Sequence, residues 1–250
     1  MLGFLKRMLP LLALASPLAP AFAETPQPLR LCESAKATLK SDSDLADAVR
    51  AAYGQLGSTT DEACLYPLQT LRYADVDVLL TKDTGRDTGC EGCAADLSAT
   101  VLRRVPGGFK KVRTFENFGK TGSSGAIASA SPIAIGGDDG VAIEAGGMAQ
   151  GYLHETLELY AFRKQGLVRL DSGAPLFIQG DNTGAQSDDG KATVIDSAWS
   201  LANNELVVDY RIVDKSGKHD TRAVWTVGET QLTLKSGGAP KEMGKATGAE

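Results

Sequence analysis

Thr100-Val101-Leu102-Arg103-Arg104-Val105-Pro106-Gly107-Gly108-Phe109-Lys110-Lys111-Val112-Arg113-Thr114-Phe115 decides the fold class. Two runs carrying β-branched and aromatic residues flank Pro106-Gly107-Gly108, a tripeptide suited to a tight turn, and the stretch predicts a β-hairpin. Just upstream, Val76, Val78 and Leu80 alternate with polar or smaller residues, which is the period of a strand. Downstream, strands are expected at Ile133 to Ile135, Val141 to Glu144, His154 to Arg163, Gly166 to Leu170 and Leu176 to Gln179. Others follow at Thr193 to Leu201, Glu205 to Val213, Thr221 to Val227 and Thr230 to Leu234. Gly, Asp, Asn and Ser clusters such as Gly136 to Gly140, Gly180 to Gly190 and Lys215 to Gly217 separate them. No alternation with long helices occurs, which disfavours a parallel α/β sheet. The expected fold is mainly β: an antiparallel sheet of stacked hairpins, as a sandwich, a meander or a partial propeller, with a short N-terminal helix.

That helix is expected over residues 43–56. Ser41 and Asp42 can cap it, Leu45, Val49, Ala52, Tyr53 and Leu56 recur at helical steps, and Gly57 suits its end. Cys32 precedes it and Cys64 follows it. A bond between them would tie its flanks together and stabilise the fold by roughly 3 to 4 kcal/mol on loop-entropy grounds. The organisation predicted is a leader at 1–23, a helical segment at 24–72, a β-rich domain at 73–235 and a disordered tail at 236–250. The tail is rich in Gly, Ala, Lys and Glu and lacks an apolar period.

The leader expectation rests on Lys6 and Arg7, the apolar stretch Met8 to Leu18 and the small-x-small site Ala21-Phe22-Ala23, the three parts of an export signal. Cleavage before Glu24 would leave a periplasmic or secreted chain and take the formal charge from −5 to −7. In an oxidising compartment Cys32, Cys64, Cys90 and Cys93 are expected in disulfides. No later run would span a bilayer. The acidic balance, read as lacking a basic cluster, argues against a nucleic-acid partner. The partner expected is an extracytoplasmic ligand or an envelope protein.

Several motifs bear on chemistry. Cys90-Glu91-Gly92-Cys93 could exchange disulfides, but Glu91 and Asp87 would raise a thiolate pKa and no long helix follows, so a structural staple is favoured. Ala94 stands where covalent haem would want histidine, and no second cysteine pair completes a zinc site; no metal and no cofactor is expected. His154-Glu155-Thr156-Leu157-Glu158 lacks the second histidine of a zinc-protease helix and alternates like a strand, and His219 lies in a Lys/Gly turn. Residues 181–190 offer oxygen ligands without calcium-loop spacing. Trp199, Tyr210 and Trp225 are expected in the core. Gly146, Gly147, Gln150, Gly151 and Tyr152 form a possible binding segment, because close glycines let a backbone approach a ligand or another strand.

Asp83-Thr84-Gly85, Asp87-Thr88-Gly89 and Asp171-Ser172-Gly173 each resemble the catalytic loop of aspartic proteases, which would imply two aspartates sharing a proton. Asp-x-Gly is equally ordinary turn chemistry. Over residues 88–172, Cys90-x-x-Cys93, Phe115 to Gly119, Ile133 to Val141 and Gly146-Gly147-Met148-Ala149-Gln150-Gly151-Tyr152 resemble uncharacterised secreted bacterial β-rich proteins. Glu91 departs from that pattern, which places His there. The resemblance implies an extracytoplasmic β-rich protein and no particular activity. The expectation is therefore an exported, non-enzymatic binding or envelope-associated protein; a thiol-disulfide redox protein using Cys90 and Cys93, and an aspartic-type hydrolase, are the alternatives.

Overall fold

The computed structural model describes residues 29–54, 58–60, 64–83, 94–121, 127–164, 166–171, 176–185 and 192–247. The expected leader, Cys90, Cys93, Asp87 and residues 186–190 lie outside the described residues. The chain is mainly β and arranged as two sheets.

The first sheet begins with β1 (Arg30–Cys32), α1 (Ala35–Ser41), α2 (Ser43–Tyr53) and β2 (Ser58–Thr60). It continues through β3 (Leu65–Arg72), β4 (Asp77–Asp83), β5 (Ala95–Val105) and β6 (Gly108–Thr121), in the order β2-β1-β3-β4-β5-β6. Strand β1 runs parallel to β2 and β3, and β3 to β6 are antiparallel. Asp42 caps α2 by accepting from the Leu45 N–H at 2.9 Å, and Gly54 ends it at φ 89°. The predicted helix is thus present but stops three residues short of 56, while α1 precedes it. Both helices lie on one face of the sheet, where Leu45, Val49 and Ala52 pack with Leu39, Leu79 and Leu102. A disulfide joins Cys32 to Cys64, bridging the helices' flanks; of the pairings the four cysteines allow, this is the one formed among the described residues.

The predicted boundary at residue 73 does not separate the parts, because β3 pairs with β4 along almost its whole length. Pro67 hides β3 in the sequence: it interrupts the alternation and sits where the register shifts, the place a ladder tolerates a missing N–H.

The second sheet holds β7 (Ile127–Ile135), β8 (Asp138–Ala149), β9 (Tyr152–Arg163) and β10 (Gly166–Arg169), then β11 (Leu176–Asp181), β12 (Val194–Ala202), β13 (Glu205–Asp214), β14 (Gly217–Val227) and β15 (Leu232–Gly237). Its order is β15-β14-β13-β12-β11-β9-β8-β7, with β10 also paired to β9. The first sheet packs face to face on β8 and β9: Val78, Leu80, Leu97 and Ala99 meet Val141, Ile143, Ala145 and Tyr160. The other face of β8 and β9 contributes Ala142, Leu157, Leu159 and Ala161 to a cluster with Ile195, Leu206, Val208 and Tyr210. Strands that are not neighbours share that core, so the second sheet curves back over itself. Trp199 and Trp225 pack against it, as expected of core aromatics, and the Trp199 indole donates to Glu144 Oε1 at 2.6 Å.

Residues 236–247 differ from the disordered tail predicted. Helix α3 (Met243–Thr247) plugs the curved sheet with Met243 and Ala246, and Gly180 lies beneath them with no room for a side chain. Two apolar anchors suffice when the receiving surface is already concave, and two residues make no detectable period.

Burial raises the hydroxyl pKa values of Tyr53, Tyr73, Tyr160 and Tyr210, the last up to about 12. These phenols keep their protons in the folded state above the unfolded value of about 10. Their contribution is intact below that pH and is lost as pH rises through the folded values. Alkaline unfolding is expected to begin near pH 10, with tyrosinate absorbance rising together with loss of the far-ultraviolet β signal. Tyrosinate absorbance completing well before that signal changes would contradict the reading.

Candidate functional site: a cleft between the sheets

Where the sheets part, at the end of β4 nearest Asp77, they leave a cleft of about 300 Å³. Its walls are apolar: Val76 and Val78 from β4 and the turn before it, Val101 from β5, Phe115 from β6 and Phe162 from β9. These side chains alternate with the helix-facing set on the same strands, so the period-2 pattern that buries Leu79 and Leu102 under the helices turns Val78 and Val101 toward the cleft. Phe162 is held by ring contacts with Tyr73 at 5.7 Å and Phe115 at 5.9 Å. The Tyr73 hydroxyl donates to the Gly140 carbonyl at 2.7 Å, fastening the first sheet to β8; burial, then the Asp139 charge, pushes its pKa up.

The mouth carries Arg113, Arg163 and Lys164 against Asp138 and Asp139. Arg163 pairs with Asp138. The Arg113 guanidinium stacks 3.7 Å from the Phe115 ring centroid and reaches the Arg163 carbonyl at 3.5 Å. The rim has one cation in excess, and Arg113 is held over an aromatic face. The cleft can hold an apolar group whose other end is anionic. Among the described residues its lining contains no nucleophile beside a base, and no group of three or more His, Cys, Asp or Glu is placed to hold a metal.

The sequence-predicted residues lie elsewhere. Gln150 and Gly151, at φ 52° and 84°, are the two central residues of the β8–β9 hairpin turn, and Ala149 pairs with Tyr152 across it. Gly146 lies against the His154 carbonyl and Gly151 against Gly184, where a Cβ would collide with backbone. The close approach anticipated for these glycines is therefore strand on strand and turn on loop. His154 packs edge-on to Phe177 at 6.1 Å, and His219 lies not in a turn but on β14, paired with Ile212 of β13. Asp181 Oδ1 accepts from the Thr183 N–H at 2.7 Å, an ordinary turn contact.

Of the aspartates resembling protease loops, Asp83 ends β4 in the first sheet, whereas Asp171 follows β10 in the second. Asp171 accepts from Arg169 Nε and Nη2, at 3.0 and 2.7 Å. Glu158 and Tyr160 complete this cluster: the Tyr160 hydroxyl donates to Glu158 Oε2 at 2.8 Å. Burial alone would lower the Arg169 pKa, but hydrogen bonds to Asp171 and the surrounding negative groups hold it above its ordinary value. The Tyr160 hydroxyl rests on Gly119 of β6. Gly119→Ala is expected to push Tyr160 off Glu158 and cost about 1 to 3 kcal/mol, readable by urea denaturation. A neutral result would mean the two sheets separate freely there.

The cleft was not legible in the sequence because its walls come from four separated segments. A cationic feature was missed for a related reason. Arg103-Arg104 and Lys110-Lys111 look like unremarkable dipeptides, but the hairpin brings them together with Arg113, correcting the expectation of no basic cluster. The signal was present: no acidic residue occurs from Leu102 to Phe115. Comparison with family models, curated proteins and solved structures found no match to the chain.

Proposed function

We propose that the chain is an exported, non-enzymatic binding protein of the cell envelope, whose inter-sheet cleft takes a small apolar group ending in an anion. The observation carrying this reading is the cleft itself: five apolar walls beneath a rim on which Arg113 and Lys164 accompany the Arg163–Asp138 pair. Sites of this kind, mostly apolar with a few polar groups that set orientation, form where layers meet. Export is supported by the leader pattern at 1–23 and by the Cys32–Cys64 bond, which persists in oxidising compartments. Among the described residues no helix is long and apolar enough to cross a membrane.

Titration calorimetry with octanoate, octanol and octylammonium tests the site. Octanoate is expected to bind about tenfold more tightly than octanol, and octylammonium least. Val101→Phe, which fills the cleft, is expected to abolish octanoate binding with little change in thermal stability. Equal affinity for all three, or undiminished binding by Val101→Phe, would overturn the reading. Mass spectrometry of the exported protein without reduction should give a chain starting at Glu24; a retained leader would remove the export part.

A further inference from the structure

The turn of the β5–β6 hairpin stands in open space: a Cβ added at Gly107 or Gly108 would meet nothing within 4 Å. The hairpin's two faces use their cations differently. On the helix side Arg104 binds the buried Asp77 at 2.9 Å and Lys111 donates to the Ala52 carbonyl at the end of α2 at 3.1 Å, so both anchor the hairpin. On the opposite side Arg103 and Lys110 stand directly across the ladder from one another, both exposed, and neither makes an ion pair among the described residues. Like charges in directly opposed positions disfavour the strand pairing that holds them. Beside them Val105 and Val112 are 39% and 49% exposed, and Pro106 is exposed at the tip.

We propose that this hairpin docks the protein on an anionic phospholipid surface, with Val105, Pro106 and Val112 at headgroup depth and Arg103, Lys110 and Arg113 on the phosphates. Charge complementarity selects an anionic occupant, because the hairpin is a local cationic element on a chain of net charge −5. The apolar tip selects lipid: a soluble polyanion would use the cations alone, whereas an interface accepts both. An anion between Arg103 and Lys110 also relieves their repulsion. This docking goes beyond the cleft reading and is independent of it, although Arg113 belongs to both, so a docked hairpin would bring the cleft mouth toward the surface.

Co-sedimentation of the mature protein with phosphatidylglycerol-containing vesicles and with pure phosphatidylcholine vesicles tests the proposal. Binding is expected only to the former and should weaken with salt. Arg103→Gln with Lys110→Gln is expected to lower the partition coefficient roughly 30-fold, and Val105→Ser with Val112→Ser about tenfold. Unchanged unfolding midpoints would show that the variants retain the fold, as expected for exposed side chains. Wild-type protein that fails to sediment with anionic vesicles at low salt, or a double glutamine variant that sediments equally well, overturns the proposal. Binding to polyphosphate or single-stranded DNA without binding to vesicles would replace lipid by a soluble polyanion, and also overturns it. Octanoate binding that survives in the glutamine variant, or vesicle binding that survives in Val101→Phe, separates this proposal's failure from that of the cleft.

Discussion

Replacing Cys32 and Cys64 together by alanine is expected to remove about 4 kcal/mol of stability. The two positions are 32 residues apart in the chain, and their Cα atoms are 4.9 Å apart in the fold. The loop they close contains α1, α2 and β2, and its ends are β1 and the start of β3, which pair at Leu31 and Leu65. β1 and β2 have only three residues each, too short to hold the layer by pairing alone, so much of the ordering of this end depends on the helices staying against Leu79 and Leu102. Cross-linking reduces the unfolded chain's freedom over that segment and keeps the helices near the sheet they cover. Both cysteines are buried, so alanine also leaves small voids. For a domain of this size the expected fall in Tm is roughly 8 to 16 °C. Urea denaturation of oxidised wild type, reduced wild type and the double variant separates the terms. Reduced protein should show most of the loss and the variant slightly more, the difference being the voids, and hydrogen exchange should show the largest loss of protection in α1, α2, β1 and β2. A difference below about 1 kcal/mol would mean that helix packing holds this end without the bond.

The sequence was most readable where one face of a strand meets water. In β13, Leu206, Val208, Tyr210 and Ile212 are buried while Asp209, Arg211 and Val213 are exposed, so burial follows the period of the side chains. β4 is buried on both faces, between the helices and the second sheet, and its core Val78-Leu79-Leu80 carries strand propensity but no clean alternation. β3 was hidden by Pro67, and α3 by having only five residues. The same difference governs function. The glycines of 146–151 were conspicuous because local backbone demands mark a sequence locally, and those demands are met by the hairpin's own strands and the neighbouring loop. Val76, Val101, Phe115 and Phe162 carry no local mark, since the cleft exists only once β4, β5, β6 and β9 are layered. Arg103 and Lys110 become a pair through strand register, which a linear charge count does not show.

Arg169→Met is expected to cost about 3 kcal/mol at neutral pH, and most of the loss should come from the carboxylates it leaves behind. The Arg169 side chain is 38% exposed, but its partners are not: the side chains of Asp171 and Glu158 are 1% and 6% exposed. Methionine preserves much of the stem's packing, so the cavity contribution is small. It provides no counter-charge to the two carboxyl groups of this low-dielectric site, where the Tyr160 hydroxyl donates to Glu158. Urea denaturation of variant and wild type at neutral pH reads the loss. The triple variant Arg169→Met, Glu158→Gln, Asp171→Asn should recover part of the stability at neutral pH, because it removes the charges along with the cation. No recovery in the triple variant would show that Arg169 acts by shape against Tyr160, whose ring lies 5.8 Å from its guanidinium carbon, and not by charge.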